Sequence, residues 1–128
     1  MTSRNIRWNI DDVKGKAKPF LLRPAGKDYL WGGTRLIDEY GKESALTPLA
    51  ETWECSTHPD GSSIVASGDR KGRLLSEVLK EHPEYLGIHS EAGIKAKGDL
   101  PILIKFIDAR KDLSIQVHPD DVYAREQE

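Results

Sequence analysis

From Pro19 onward, the chain alternates short apolar runs with glycine, proline and aspartate, a pattern typical of a β-rich domain. Two runs, at 51–56 and 63–67, predict strands joined by a hairpin-type connection. Two further runs, at 100–107 and 113–118, predict the best strand pair of the chain, bridged by polar residues. The pattern therefore predicts an all-β protein.

Helical periodicity is confined to two short segments. In 34–40, three apolar side chains share one face, and Gly41 follows where a left-handed C-terminal cap belongs. In 74–82, leucine and valine recur at helical spacing until Pro83 removes the next backbone donor. We therefore expect a few short helices at the edge of the strands.

Length and composition favour one globular domain. The chain has 128 residues, of which 38% are hydrophobic, enough for a real core. Residues 1–18 are basic and poor in apolar anchors, so they predict a loosely ordered arm before a domain at 19–128. The net charge of -2 supplies no global field for nucleic acid or an anionic membrane, which excludes both as expected partners.

The apolar runs and the cysteine content of the chain bear on its cellular location. The most apolar run, 100–107, is interrupted by Lys105 and is far shorter than the roughly 20 residues that a membrane helix needs. Cys55 is the only cysteine, and the N-terminal residues lack the apolar stretch of a secretory signal. A reducing, cytoplasmic location is therefore expected.

Chemically useful side chains are concentrated in 113–118. In a strand they would alternate between an apolar face and a polar face, and a polar face that simply meets water is the ordinary interpretation. Pro119 restricts His118 to extended geometry, and the two aspartates after it are expected to start a helical turn. The apolar set is Leu113, Ile115 and Val117, and the polar set is Ser114, Gln116 and His118.

Other candidate residues have plainer interpretations. Lys105 lies in an apolar run, so its ammonium must reach solvent or face an anion. Cys55 shares a predicted strand face with Glu51 and Trp53 and is expected in the core rather than as a nucleophile. His58 is expected in a turn and His82 at a helix end, while His89 has no distinguishing context.

Several motifs, in order and at consistent spacing, resemble those of type I phosphomannose isomerases. The most specific is LSIQVHPDD at 113–121, preceded by LPILIKF at 100–106. Further matches are Trp31-Gly32-Gly33, ETWECSTHP at 51–59, and the segment 68–75 before a short helix. The resemblance covers roughly residues 19–128, a length that makes chance agreement improbable.

The resemblance implies a cupin-type jelly roll with short peripheral helices, of which this chain would supply the opening part. It also implies zinc as cofactor, with Gln116 and His118 as ligands, and a sugar-phosphate substrate contacted by Lys105 and Ser114. The implied reaction interconverts mannose 6-phosphate and fructose 6-phosphate; no proton-transfer base is assigned.

The family's remaining ligands, a glutamate in a GKTE-like stretch and a second histidine, are expected in a missing C-terminal segment. Glu126 and Glu128 are not substitutes for them. The 128-residue chain alone is therefore expected to be inactive. Two alternatives stay open: a cupin-like sugar-phosphate-binding or regulatory module without turnover, and a structural fragment completed by a partner segment.

Overall fold

A computed structural model describes residues 18–86 and 98–127, and within these ranges short strands form two small antiparallel sheets. In one sheet, β1 pairs with β4; in the other, β3 lies between β2 and β5. The strands are β1 (Leu22–Arg23), β2 (Ala25–Lys27), β3 (Glu51–Cys55), β4 (Ile64–Val65) and β5 (Ile104–Ile107).

The helices are short and follow the predicted positions. Gly41 has the left-handed φ of +62° expected of a cap, and its N–H bonds to the carbonyl of Ile37. His82 caps the end of α2 directly before Pro83, so both helix predictions are confirmed. The elements are α1 (Arg35–Asp38), α2 (Leu75–Glu81), a 3₁₀ helix (Pro83–Leu86) and α3 (Asp121–Gln127).

The core forms where β3 and α2 bury their apolar side chains. β3 is the central strand of its sheet, and its first three residues are buried. α2 buries residues spaced three and four apart, which is the spacing of one helix face. The buried apolar residues are Leu36, Leu49, Ala50, Trp53, Val65, Leu75, Val78 and Leu79.

The predicted hairpin between 51–56 and 63–67 is wrong in its pairing. Both segments contain a strand, but β3 and β4 belong to different sheets. The connection is held instead by Ser63, whose N–H donates to the Ser56 carbonyl at 2.8 Å and whose hydroxyl donates to the Trp53 carbonyl at 3.1 Å. The buried serine thus replaces a hairpin ladder and lets the chain cross between sheets.

The predicted strand pair between 100–107 and 113–118 is also wrong. β5 pairs with β3, with Thr52 opposite Phe106 and Trp53 opposite Lys105. Residues 113–118 form no strand, and both of their predicted faces are exposed, with Ile115 exposed by 97%. Residues 113–118 thus lack the partner ladder that a strand needs to satisfy its backbone groups, and the strand expected to supply it, β5, pairs with β3.

The turn that precedes α1 packs closely against the backbone at Ala50. A Cβ on Gly32 would lie 2.4 Å from the Ala50 Cβ and 2.5 Å from its Cα. The Asp108 carboxylate accepts from the Arg35 N–H at 2.8 Å, so it caps α1 across 73 residues of sequence. The Trp31 carbonyl then accepts the N–H groups of residues 110 and 111.

Strands with few short helices make up the regular structure, in agreement with the all-β prediction in its coarse form. Among the described residues, no helix is long and apolar enough to cross a membrane. The predicted arm at 1–18 and the interpretation of His89 fall, apart from Lys18, outside the described residues.

Replacing Gly32 by alanine should lower the free energy of unfolding by about 1 to 3 kcal/mol, because the new methyl group would overlap the Ala50 backbone. Chemical denaturation of the protein at its natural length measures this. Gly41→Asn is the matched control, since Gly41 faces open space and asparagine tolerates a left-handed φ. Equal stability of the Gly32→Ala protein and the control would contradict the proposed close packing.

Candidate functional site

Lys105 lies on β5 opposite Trp53 of β3, and its ammonium faces a carboxylate of the protein itself. Its Nζ donates to Oε1 and Oε2 of Glu51 at 3.1 and 3.2 Å. The side chain remains 35% exposed, so the ammonium is accessible from solvent. The expectation that this lysine reaches solvent or faces an anion is confirmed on both counts.

Glu51 is the buried partner, with 4% of its surface exposed. Besides the two contacts from Lys105, its Oε2 accepts the indole N–H of Trp53 at 2.7 Å. Burying a carboxylate is costly unless charged and polar donors replace water, and these three contacts do so. Glu51 and Trp53 therefore share a face of β3, as the sequence predicts.

Trp53 is fixed on several sides. The Nζ of Lys27 lies 4.3 Å from the ring centroid, and the His58 ring meets it edge-on at 5.5 Å. A Cβ on Gly61 would lie 2.9 Å from Cε3 of the indole, so the turn backbone packs directly on the ring. With 7% exposure, Trp53 can hold its N–H at a constant position toward Glu51.

The role of Glu51 is not evident from the sequence. Its pattern puts Glu51 on the face of Trp53, and the expected anion for Lys105 is the sugar phosphate, not this carboxylate. The available signal for a buried ion pair was the presence of Glu51, two residues before Trp53, on one predicted strand and of Lys105 on another. Only the antiparallel pairing of β3 with β5 brings the two charges together.

Ser114, Gln116 and His118 are all exposed and lie in a segment without regular structure. The expected ladder that would set Ser114 and Gln116 beside Lys105 is not formed. After this segment, the Asp120 Oδ1 accepts the Tyr123 N–H at 2.8 Å at the start of α3. The prediction that the aspartates start a helical turn is therefore confirmed.

An imidazole nitrogen and an amide oxygen, from His118 and Gln116, are the donors this segment could offer a metal ion. A neutral imidazole is a standard zinc ligand, whereas an amide oxygen is a less usual one. Within 18–86 and 98–127, no group of three histidine, cysteine, aspartate or glutamate side chains could hold a metal ion. The donor chemistry fits part of a zinc site.

The other two described histidines behave as expected. His58 lies in a turn, where its carbonyl accepts the Gly61 N–H and its Nδ1 accepts the Asp60 N–H at 3.1 Å. His82 ends α2 and lies between the Arg70 guanidinium and the Glu84 carboxylate. These contacts give both rings structural roles.

A cavity of about 360 Å³ lies between the turn after β3 and the segment before β5. Its lining includes Thr57, His58 and Asp99 but neither Lys105 nor any of the polar residues of 113–118. Thr57 uses its hydroxyl to accept the N–H of Leu100 at 2.9 Å. The cavity is therefore separate from Lys105 and from the polar residues of 113–118.

Comparison with known proteins gives a consistent result. Residues 20–127 match the family model described as phosphomannose isomerase type I, catalytic domain. The chain is 42% identical over 107 residues to the probable mannose-6-phosphate isomerase GmuF of Bacillus subtilis, covering 84% of this chain and 32% of that protein. Against the mannose-6-phosphate isomerase of Streptococcus mutans, identity is 39% over 112 residues, covering 88% and 34%.

The fold agrees with a solved relative. The crystal structure of the mannose 6-phosphate isomerase from Bacillus subtilis matches with a TM-score of 0.73 at 40% identity, over 86% of this chain and 33% of that one. The chain thus spans about a third of the length of the relatives it matches.

Cys55 should react slowly with thiol reagents. It is half-buried, and burial raises the pKa of its thiol above the usual value, so less of the reactive thiolate is present at neutral pH. We expect alkylation by iodoacetamide at pH 8 to be slower than for glutathione and to accelerate as the pH rises through and above 9. Mass spectrometry of the modified peptide follows the rate. Alkylation of Cys55 as fast as that of glutathione would contradict a buried thiol.

Proposed function

The chain belongs to the type I phosphomannose isomerase family, and on that premise we propose that the protein carrying it interconverts mannose 6-phosphate and fructose 6-phosphate. The observation that carries this proposal is the family match across 20–127. Relatives named as mannose-6-phosphate isomerases, at around 40% identity, support it. Because the chain spans about a third of their length, the activity is proposed for the protein at its natural length.

The fold proposed for that protein is a cupin-type jelly roll, to which the two small sheets contribute strands. The match to a solved isomerase structure and the two antiparallel sheets support this. A cytoplasmic location is also proposed, in keeping with the single cysteine and a sugar-phosphate substrate.

Lys105 is proposed to bind the substrate through its partly exposed ammonium, with Ser114 as a second donor. A lysine ammonium has three N–H groups, and two oxygens of Glu51 account for two of them. The remaining donor can contact a phosphate oxygen of the sugar phosphate. Exposure of the Ser114 hydroxyl leaves it free to turn toward the same ligand.

Gln116 and His118 are proposed to hold zinc. When bound, the metal would supply Lewis-acid stabilisation of the enediol-like charge that develops as a proton moves between C2 and C1. Their spacing of two residues lets both side chains turn to one side once 113–118 is extended. Further ligands and the proton-transfer base are not assigned within the described residues.

Lys105→Ala should chiefly weaken binding of the phosphorylated sugar. Loss of a charge-assisted hydrogen bond costs roughly 1.5 to 3 kcal/mol, or about tenfold to a hundredfold in affinity. Steady-state kinetics and competition by mannose, which lacks the phosphate, measure the difference. A similar loss of affinity for mannose and mannose 6-phosphate would indicate a structural lysine instead.

His118→Ala and Gln116→Ala should lower the zinc affinity of the protein. Loss of an outer-shell partner commonly costs about tenfold to a hundredfold, so loss of the His118 ligand should exceed a hundredfold. Zinc content after equilibration with graded chelator provides the measurement. His58→Ala is the control, because His58 also precedes a proline but lies in a turn away from this segment. Full zinc retention by the His118→Ala protein would remove the assignment.

A further inference from the structure

Two lysine–glutamate pairs lie on opposite faces of β3, and they differ in burial. On one face, Lys105 contacts Glu51, whose side chain is 6% exposed. On the other face, Lys42 contacts Glu54 at 2.7 Å, and both of these side chains are 23% exposed. The first pair therefore joins a buried carboxylate to a partly exposed lysine. Burying a charge is costly and such a pair adds little net stability, so its presence calls for a further explanation.

The contacts around Glu51 form a continuous support for the lysine. The turn backbone at Gly61 and the ammonium of Lys27 hold the Trp53 ring, and the indole N–H holds Glu51 Oε2. Both carboxylate oxygens then hold the Lys105 ammonium. A free lysine side chain samples many rotamers, and these contacts remove much of that freedom before a ligand arrives.

We infer that Glu51 is a positioning residue: its buried carboxylate holds the Lys105 ammonium in one place and partly compensates its charge. The inference rests on the proposed function, in which Lys105 contacts the sugar phosphate. Its consequence is that turnover depends on a fixed position of the ammonium, whereas the partial compensation of its charge lowers its affinity for free phosphate. Placement within a fraction of an ångström matters because a shift of 1 Å can cost a hundredfold in rate.

Glu51→Gln tests this in the protein at its natural length. Glutamine keeps the size of the side chain and an acceptor for the Trp53 N–H, but it removes the charge that holds the lysine. We expect kcat for mannose 6-phosphate to fall by at least tenfold, because the ammonium no longer occupies one position. We expect inorganic phosphate to bind about threefold more tightly, because the lysine charge is no longer compensated.

Glu54→Gln is the matched control. It removes a carboxylate from the same strand and breaks a lysine contact of the same type, but on the opposite face. Both kcat and the dissociation constant for inorganic phosphate should stay within twofold of the unmodified protein. Calorimetric titration with inorganic phosphate gives the second quantity without any need for turnover.

Opposite changes in kcat and in phosphate affinity separate positioning from support of the fold. If Glu51→Gln weakens phosphate binding and lowers kcat together, or changes neither, the inference is wrong. If the unmodified protein does not isomerise mannose 6-phosphate, the proposed function fails, and the phosphate titration alone decides whether Glu51 compensates Lys105.

Trp53→Phe covers the case in which Glu51→Gln does not fold, as thermal unfolding would reveal. Phenylalanine removes the N–H that holds Glu51 Oε2 but leaves both charges of the pair in place. It should lower kcat by about threefold to tenfold and leave phosphate affinity within twofold. An unchanged kcat in a folded Trp53→Phe protein would overturn the inference.

Discussion

The buried carboxylate of Glu51 forms the interactions on which the Lys105 face of the sheet depends. A charge at 4% exposure needs donors that replace water, and they come from two strands: the Trp53 indole on β3 and the Lys105 ammonium on β5. The same contacts that satisfy the carboxylate also join the strands and fix the lysine. The Glu51 contacts therefore serve both the pairing of the two strands and the proposed placement of the lysine.

Contacts of the turn at Trp31 and Gly32 fix the position at which the chain leaves β5 toward the family motif at 113–121. Gly32 packs directly against Ala50, and the Trp31 carbonyl accepts the N–H groups of Arg110 and Lys111. These contacts anchor the chain immediately after β5 and before 113–118. Asp108 also caps α1. Residues 108–111 therefore connect α1, the end of β5 and the start of 113–118.

The two parts of the proposed site differ in how strongly the described structure holds them. Lys105 is tied to a buried network, whereas Gln116 and His118 lie on an exposed segment whose apolar residues, such as Ile115, are also exposed. The proposed phosphate-binding side is thus supported within this chain by the Glu51 contacts. The proposed metal-binding side depends on an ordering of 113–118 that burial of its apolar side chains would favour.

Local signals in the sequence determined the two helix predictions. Each rests on helical periodicity and on one stop signal a few residues away, Gly41 for the first helix and Pro83 for the second. They also determined the family, because its motifs are read in order along the chain. Strand partners depend on residues far apart, so only the tertiary structure paired β5 with β3 and left 113–118 unpaired. For the same reason, the sequence marked Lys105 as a cation in need of an anion, but only the antiparallel register identified that anion as Glu51.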